Sequence, residues 1–430
     1  MEHLVSFFFI AEFFLILIIM LALLFKEGLS FKVGISFAML YFIFIPVFVM
    51  VFTGTLELSK ADFGTTKLGD VVLVDNLYES FLLLTFVFVI ILYLYFPMLK
   101  SKVQTIADFQ PRLKYYLTIY IVGMAIIFLG SGLLQGGNWY DNRHNFFESI
   151  GPLALLIAFI LNSSKVLIIG SLVYNWVHKN MDFVKFIIIM AVFTVIDMVF
   201  SGNRIYLFCA FALIGLIILR KYPNKTIILT PVILPVLFVL GYLASIFKHM
   251  RGPLFYKGIP TYDIFVSSFV RAVGLEPPSI SAFFIGISES VNVNVIYKLF
   301  ENYDSFLYGL TFLKPFFFYL PRSIWASKPE SITIIAANTY GGASMVTTII
   351  GEMYMNFHLL GIVILPIFLW LLDNILTISL KKYGEFAKII LFIFGLLIFR
   401  MPFSDELLVF IFLLMILWFF NRFKAIKFKF

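Results

Sequence analysis

A chain of 430 residues that is 62% hydrophobic and only 13% charged is not a water-soluble globule, because soluble domains run at about 45–50% apolar and about 25% charged. The surplus, expressed as a mean hydropathy of +1.02, has to face lipid. The formal charge of +8 needs no nucleic acid to explain it, because basic residues flank membrane helices on the cytoplasmic side.

The first apolar run, about 4–25, is too long for a secretory signal, lacks a basic leader and has no small-residue cleavage site, so it reads as a membrane helix. Stretches such as Phe7–Leu24 and Leu407–Phe420 are apolar on every face. Barrel strands would alternate apolar and polar over about 10 residues, so helices are expected. Judged against the roughly 20 residues a crossing needs, the spans are about 4–25, 33–53, 79–99, 115–135, 150–174, 184–200, 205–219, 227–247, 359–378, 387–400 and 405–420. The expected fold is an all-α polytopic membrane protein of about 11 transmembrane helices, the last two short enough to be tilted or half-buried. It divides into an N-terminal helix bundle at 1–247, a large extracytoplasmic loop at 248–358, and C-terminal transmembrane helices with a basic tail at 359–430.

Lys and Arg set the orientation. One set of short loops carries Lys26, Lys32, Lys100, Lys102, Arg112, Lys114, Lys179, Lys185, Arg220, Lys221, Lys225, Lys381, Lys382 and Lys388. The opposite set carries only Lys60, Lys67, Arg143, Arg204 and Arg400. The richer side is expected to be cytoplasmic, which puts the N-terminus outside and the C-terminus inside.

The long loop is rich in aromatics and Pro. After Pro277-Pro278, Ile280, Phe284, Ile287, Val291 and Val295 recur at three- and four-residue steps, while Asn292 and Asn294 lie off that stripe. This predicts a helix lying at the membrane surface. Phe306–Leu320 is apolar but broken by Lys314-Pro315, and reads as a segment that dips into the membrane and returns or as a concealed pair of crossings.

The single cysteine, Cys209, excludes an intrachain disulfide and a Cys-based metal site. The five His show no metal-ligand spacing, so no metal is expected. Arginine is the distinctive residue of the outer side: Arg204 in a Ser201-Gly-Asn-Arg turn, Arg251, Arg271, Arg322 in Pro321-Arg-Ser-Ile-Trp325, and Arg400. A guanidinium is planar, always charged and donates two parallel hydrogen bonds, which suits a pyrophosphate. The competing role for each Arg is snorkelling to the interface or neutralising an acid. Glu276 and Glu352 stand near the two ends of the loop, as general base or orienter of a sugar hydroxyl, or as partners of an Arg. Asp197, seven residues before Arg204, reads as its structural pair. Asp405-Glu406 reads as a cap on the last helix. Glu12 and Lys165 lie within spans and should face the protein interior. Trp139, Tyr140, Trp325 and Tyr354 suit either sugar stacking or the interfacial aromatic belt.

The ordered series Arg271-x-x-Gly274-Leu275-Glu276, Tyr308-Gly309, Pro321-Arg322-Ser323-Ile324-Trp325 with Lys328-Pro329, and Gly351-Glu352-x-Tyr354-x-Asn356-Phe357-x-x-x-Gly361 resembles the O-antigen polymerase (oligosaccharide repeat-unit polymerase, Wzy-type) family. The Ser201–Arg204 turn is similar to the turn these proteins carry between two mid-chain helices. The likeness covers roughly residues 195–370. His358 departs from it, standing where a small residue, often Gly, is expected.

The resemblance implies a GT-C-like, lipid-linked glycosyltransferase in the bacterial cytoplasmic (inner) membrane, acting at its outer face. Such an enzyme polymerises undecaprenyl-pyrophosphate-linked repeat units into O-antigen or a related surface polysaccharide. It implies no cofactor and no metal, because the leaving group is already a lipid pyrophosphate. Its partners would be the lipid-linked donor and acceptor, membrane lipids and a chain-length regulator protein. Arg204, Arg251, Arg271, Arg322 and Lys328 would bind pyrophosphate, Arg271 and Arg322 acting also in catalysis with Glu276 and Glu352. Alternatives are an O-antigen ligase-like transferase with another acceptor, a lipid-linked oligosaccharide flippase or transporter, which would show internal repeats and a midplane site, and a polyprenyl-phosphate-sugar transferase. The last would need an acidic pair in an early outer loop, where only the separated Asp62, Asp70 and Asp75 occur.

Overall fold

In the computed structural model the first two apolar runs are separated by local chemistry. Helix α1 (Glu2–Glu27) stops at Gly28, whose φ of 85° suits a residue without Cβ. The Ser30 side chain then accepts the Val33 N–H at 3.3 Å and starts α2. Helix α2 (Phe31–Thr53) widens into a π turn at Leu40–Phe44. Pro46 follows one residue later, and a residue with no N–H is one cause of such a break in the α pattern. Gly54, at φ 78°, ends it.

The structure describes residues 1–56, 68–99, 109–132, 138–201, 204–225, 261–275, 290–318, 330–340 and 346–422, with a few short pieces between 242 and 328. The remaining helices are α3 (Leu77–Leu94), α4 (Leu113–Gly130), α5 (Trp139–Ile150), α6 (Pro152–Val177), α7 (Phe183–Ser201) and α8 (Ile205–Lys221). In the long segment come α9 (Tyr262–Leu275), α10 (Ser290–Asn302), α11 (Leu310–Leu313), α12 (Ile332–Tyr340) and α13 (Thr348–Phe357). The chain closes with α14 (Leu360–Leu380), α15 (Glu385–Leu397) and α16 (Phe403–Arg422). Thr55–Leu56 and Val71–Val72 form a two-stranded antiparallel ribbon between α2 and α3.

Eight helices among the described residues are long and apolar enough to cross a membrane: α1, α2, α3, α4, α6, α7, α14 and α16. The chain is therefore read as an all-α polytopic membrane protein. Backbone groups satisfied within each helix are what hydrocarbon requires. Leu4, Phe7 and Ile18 of α1 and Val184, Ile188 and Val192 of α7 are exposed, as lipid-facing residues are. Of the other three expected spans, 205–219 forms the 17-residue α8. The span at 227–247 lies largely outside the described residues. The run at 387–400 is a 13-residue helix, α15, which at 1.5 Å per residue reaches only about 20 Å.

Helix α15 nonetheless runs from the basic-end residues Glu385 and Lys388 toward Phe403 at the other end of the bundle, inside the protein. From Phe386 to Leu397 every residue but Lys388 is buried. It crosses α2 at Gly34 and Gly395. A Cβ on Gly34 would run into the Phe392 carbonyl oxygen, and one on Gly395 into that of Phe31. Small residues let two backbones meet this way inside membranes.

The two ends of the bundle differ in charge. At one end the Lys32 ammonium donates to the carbonyls of Leu94 and Phe96 at 3.0 and 2.5 Å. There too Asn374 Oδ1 accepts the Leu99 N–H at 2.7 Å and Trp370 Nε1 donates to the Pro97 carbonyl at 2.8 Å. Arg220, Lys221 and Lys388 gather at this basic end. The ribbon and helices α10 to α13 occupy the other.

One expectation for the long segment is corrected, and for Phe306–Leu320 one of the two alternatives falls. The described part of the helix expected at the membrane surface, α10, is buried: Asn292 is 2% and Asn294 0% exposed, like Val293, Val295 and Ile296 beside them. The Asn294 amide donates to the carbonyls of Leu56 and Gly69 at 3.3 and 3.1 Å, so polarity off the stripe serves contact with the ribbon, not solvent. Phe306–Leu320 holds no pair of crossings among its described residues. It forms α11 and one 3-10 turn at Lys314–Phe317, each four residues long.

Candidate functional site

Two motifs of the long segment, Tyr308-Gly309 and the one running from Gly351 to Gly361, meet in the structure. Helix α13 places Glu352 and Asn356 one turn apart, on one face. The Glu352 side chain is wholly buried. Its Oε1 accepts the Thr311 hydroxyl at 3.1 Å and its Oε2 accepts the Phe403 backbone N–H at 2.8 Å. Phe403 opens α16, so its N–H belongs to the first turn that a helix cannot satisfy internally. Glu352 thus caps a helix from another part of the chain. The Asn356 amide donates to Thr311 Oγ1 at 2.7 Å and to the Glu352 carbonyl at 2.8 Å.

Thr311 is the hinge of this network. Accepting from Asn356, its hydroxyl proton points to Glu352, which suits a carboxylate. Burial opposes that charge. It pushes the Glu352 carboxyl up to about 7, while the Phe403 N–H, the Thr311 hydroxyl and Lys314 pull it down and Asp405 pushes it up. A protonated Glu352 can keep the Phe403 bond through its carbonyl oxygen and donate to the second lone pair of Thr311. Thr311 must then turn its own proton elsewhere. The protonation state of Glu352 therefore sets where a neighbouring hydroxyl points.

Glu406, one turn into α16, feels the field of Glu352, and neither of its carboxyl oxygens has a hydrogen-bond partner among the described residues. Asn356 Oδ1 is likewise without a partner there. The two Glu406 carboxyl oxygens and the Asn356 amide oxygen are thus acceptors in want of donors, as a hydroxyl-rich or cationic group would supply. Among the described residues no three His, Cys, Asp or Glu side chains converge as a metal site requires.

The arginines are spread differently. Arg204 directly precedes α8 and is half-buried. It is not the partner of Asp197. That carboxylate bonds Lys165 at 2.8 Å and the Tyr120 hydroxyl at 3.1 Å. Lys165 on α6 lies closer to Asp197 in space than the seven-residue spacing to Arg204 suggests. Arg271 stands on an exposed face of α9 and makes no hydrogen bond or ion pair with the described residues. Lys328 is half-buried and donates to the carbonyls of Phe318 and Leu320, both at 2.8 Å. Two of its three protons are thereby committed to those carbonyls. Glu276, Arg251 and Arg322 lie outside the described residues.

The aromatics sort similarly. Trp139 is wholly buried, with its Nε1 donating to the Phe200 carbonyl at 3.1 Å, so it serves packing and not sugar stacking. Arg143 donates to the same carbonyl at 2.9 Å and to that of Ser201 at 3.1 Å, capping the end of α7. Tyr354 is 7% exposed and points its hydroxyl at the Phe300 carbonyl, 3.4 Å away. Tyr308 is 76% exposed beside Gly309, at φ 50° and 76°.

His358 sits at φ 46°, in the left-handed region that favours glycine. That explains why a small residue is expected there. The His ring offsets the strain by reaching the Ser305 carbonyl through Nε2 at 2.7 Å. Thr311 is the residue that sequence reasoning missed, because nothing in a 41-residue separation ties it to Glu352. Compared with protein families, curated proteins and solved structures, the chain matches none.

Proposed function

We propose that the chain is a polyprenyl-pyrophosphate-dependent glycan polymerase of the outer face of the bacterial cytoplasmic membrane. The observation that carries the reading is the meeting of two loop motifs, Gly309 lying against the Phe357 ring of the last one. Glu352 and Asn356 of the last motif are joined through Thr311, two residues beyond the Tyr308-Gly309 pair, at the end of the bundle opposite the basic one. The basic end is assigned to the cytoplasm by charge, so this network belongs to the outer side.

In this reading the bond broken joins the anomeric carbon to the pyrophosphate oxygen, and the bond formed joins that carbon to an acceptor hydroxyl. The hydroxyl proton ends on the departing pyrophosphate or on a protein carboxylate. Arg271, exposed and uncommitted among the described residues, engages the leaving pyrophosphate together with Arg204, Arg251 and Arg322. Lys328 holds the carbonyls of Phe318 and Leu320, just before Arg322 in the chain. Glu276 is the acceptor-orienting base. Glu352, with both oxygens bonded and no exposure, is a positioning residue that holds α11, α13 and α16 together around the acceptor.

A ligase differs only in acceptor, so one experiment separates the two. A host lacking the protein is complemented with the parent or with Arg271→Lys, and its polysaccharide is run on a gel. The proposal expects a ladder from the parent and single repeat units from the variant at equal membrane abundance. A long-chain ladder in the uncomplemented host defeats the polymerase reading. Free polymer that is never transferred to its anchor there favours the ligase.

A further inference from the structure

The basic end of the bundle carries a second site. A cavity of about 300 Å³ opens where the C-terminal ends of α1, α6 and α8 meet the start of α15. Leu24, Ile217 and Ile389 make its apolar floor, and His178, Arg220, Lys221, Glu385 and Lys388 stand around it. Lys388 is taken up by Glu385 at 2.6 Å. Arg220 and Lys221, both exposed, have no carboxylate partner among the described residues. Lys221 lies over the Tyr222 ring, 5.3 Å from its centroid. The Arg220 guanidinium is laid across Gly28, with Nη1 only 2.6 Å from where a Cβ would stand. Gly28 thus leaves room for a guanidinium held at the rim.

We propose that this cavity binds the phosphate of an anionic phospholipid. Unmatched positive charge sits above an apolar floor, at the level where transmembrane helices end. That is the arrangement an amphiphile with a phosphate head requires, and basic pockets between membrane helices on the cytoplasmic side take such headgroups. An acyl chain covers the floor while Arg220 offers its planar pair of donors to the phosphate. The plainer role for Arg220 and Lys221 is to offset the dipole at the end of α8. That role needs neither cavity nor lipid.

The test uses the whole chain purified in neutral detergent, with native mass spectrometry reading bound phosphatidylglycerol against phosphatidylcholine. Each basic residue near an anionic surface is worth roughly fivefold in affinity, so Arg220→Gln with Lys221→Gln should weaken phosphatidylglycerol binding roughly 25-fold. Lys221→Gln alone, the milder variant, should lose roughly fivefold. Lys225→Gln, at the same end but off the cavity, should leave binding at the parent value. Equal retention of both lipids by the parent, or an unchanged preference in folded Lys221→Gln, overturns the proposal. So does displacement of phosphatidylglycerol by millimolar inorganic phosphate, which would make a soluble anion the ligand.

Discussion

The ion pair between Lys165 and Asp197 predicts a large and non-additive response to mutation. The two side chains are 6% and 1% exposed and their charged atoms lie 2.8 Å apart. The Tyr120 hydroxyl donates to the same Asp197 oxygen at 3.1 Å, and the Tyr206 ring lies 5.1 Å from the Lys165 ammonium. Replacing Lys165 by Met leaves a carboxylate buried with one neutral donor. Removing one partner of a buried pair costs about 3–5 kcal/mol, whereas replacing both by apolar groups is often neutral or stabilising. Lys165→Met and Asp197→Leu should therefore each destabilise by about 3 kcal/mol or more, and the double variant by about 1 kcal/mol or less. Reversible unfolding of the purified protein in bicelles gives the four corners of the cycle. Additive losses, or single variants as stable as the parent, would refute the inference that these residues form one buried unit.

Glu352 predicts a pH dependence. Its folded value of about 7 lies above the ordinary 4.5, so the folded state holds more protons between those values. The stability it contributes is fully present below pH 4.5 and is lost as pH rises through 7, about 3 kcal/mol in all. Glu352→Gln, which can hold Phe403 and Thr311 as the neutral acid does, should flatten that slope in unfolding measured from pH 5 to 8. A slope left unchanged places the titrating group elsewhere. Gly34→Val and Gly395→Val should each sharply reduce folded protein in membranes, since neither the Phe392 nor the Phe31 carbonyl can move without its helix; accumulation at parental levels would show that α2 and α15 do not cross there. Arg143→Lys should keep polymer formation and abundance, because an ammonium can still donate to the carbonyls of Phe200 and Ser201. Loss of polymer at full abundance would move Arg143 into the site.

The membrane class and most helices were legible because 20-residue apolar runs leave helix as the only spanning form open to them. The failures have physical causes. Asn294 looked solvent-facing because polarity is usually exposure, yet its amide bridges two carbonyls of the ribbon. Helical spacing pairs Asp197 with Arg204, while its partner comes from α6 across the bundle. At the site, Glu352 and Asn356 were visible as a motif. Their common partner Thr311 and the Phe403 N–H were not, because cross-helix bonds leave no spacing in the sequence.

The most direct test of the proposed reaction is to supply purified protein with a polyprenyl-pyrophosphate-linked oligosaccharide and measure released polyprenyl pyrophosphate alongside glycan length. The reading predicts one polyprenyl pyrophosphate released per repeat unit joined, with release and elongation both lost in Arg271→Lys. Elongation without pyrophosphate release, or full activity in that variant, would contradict it.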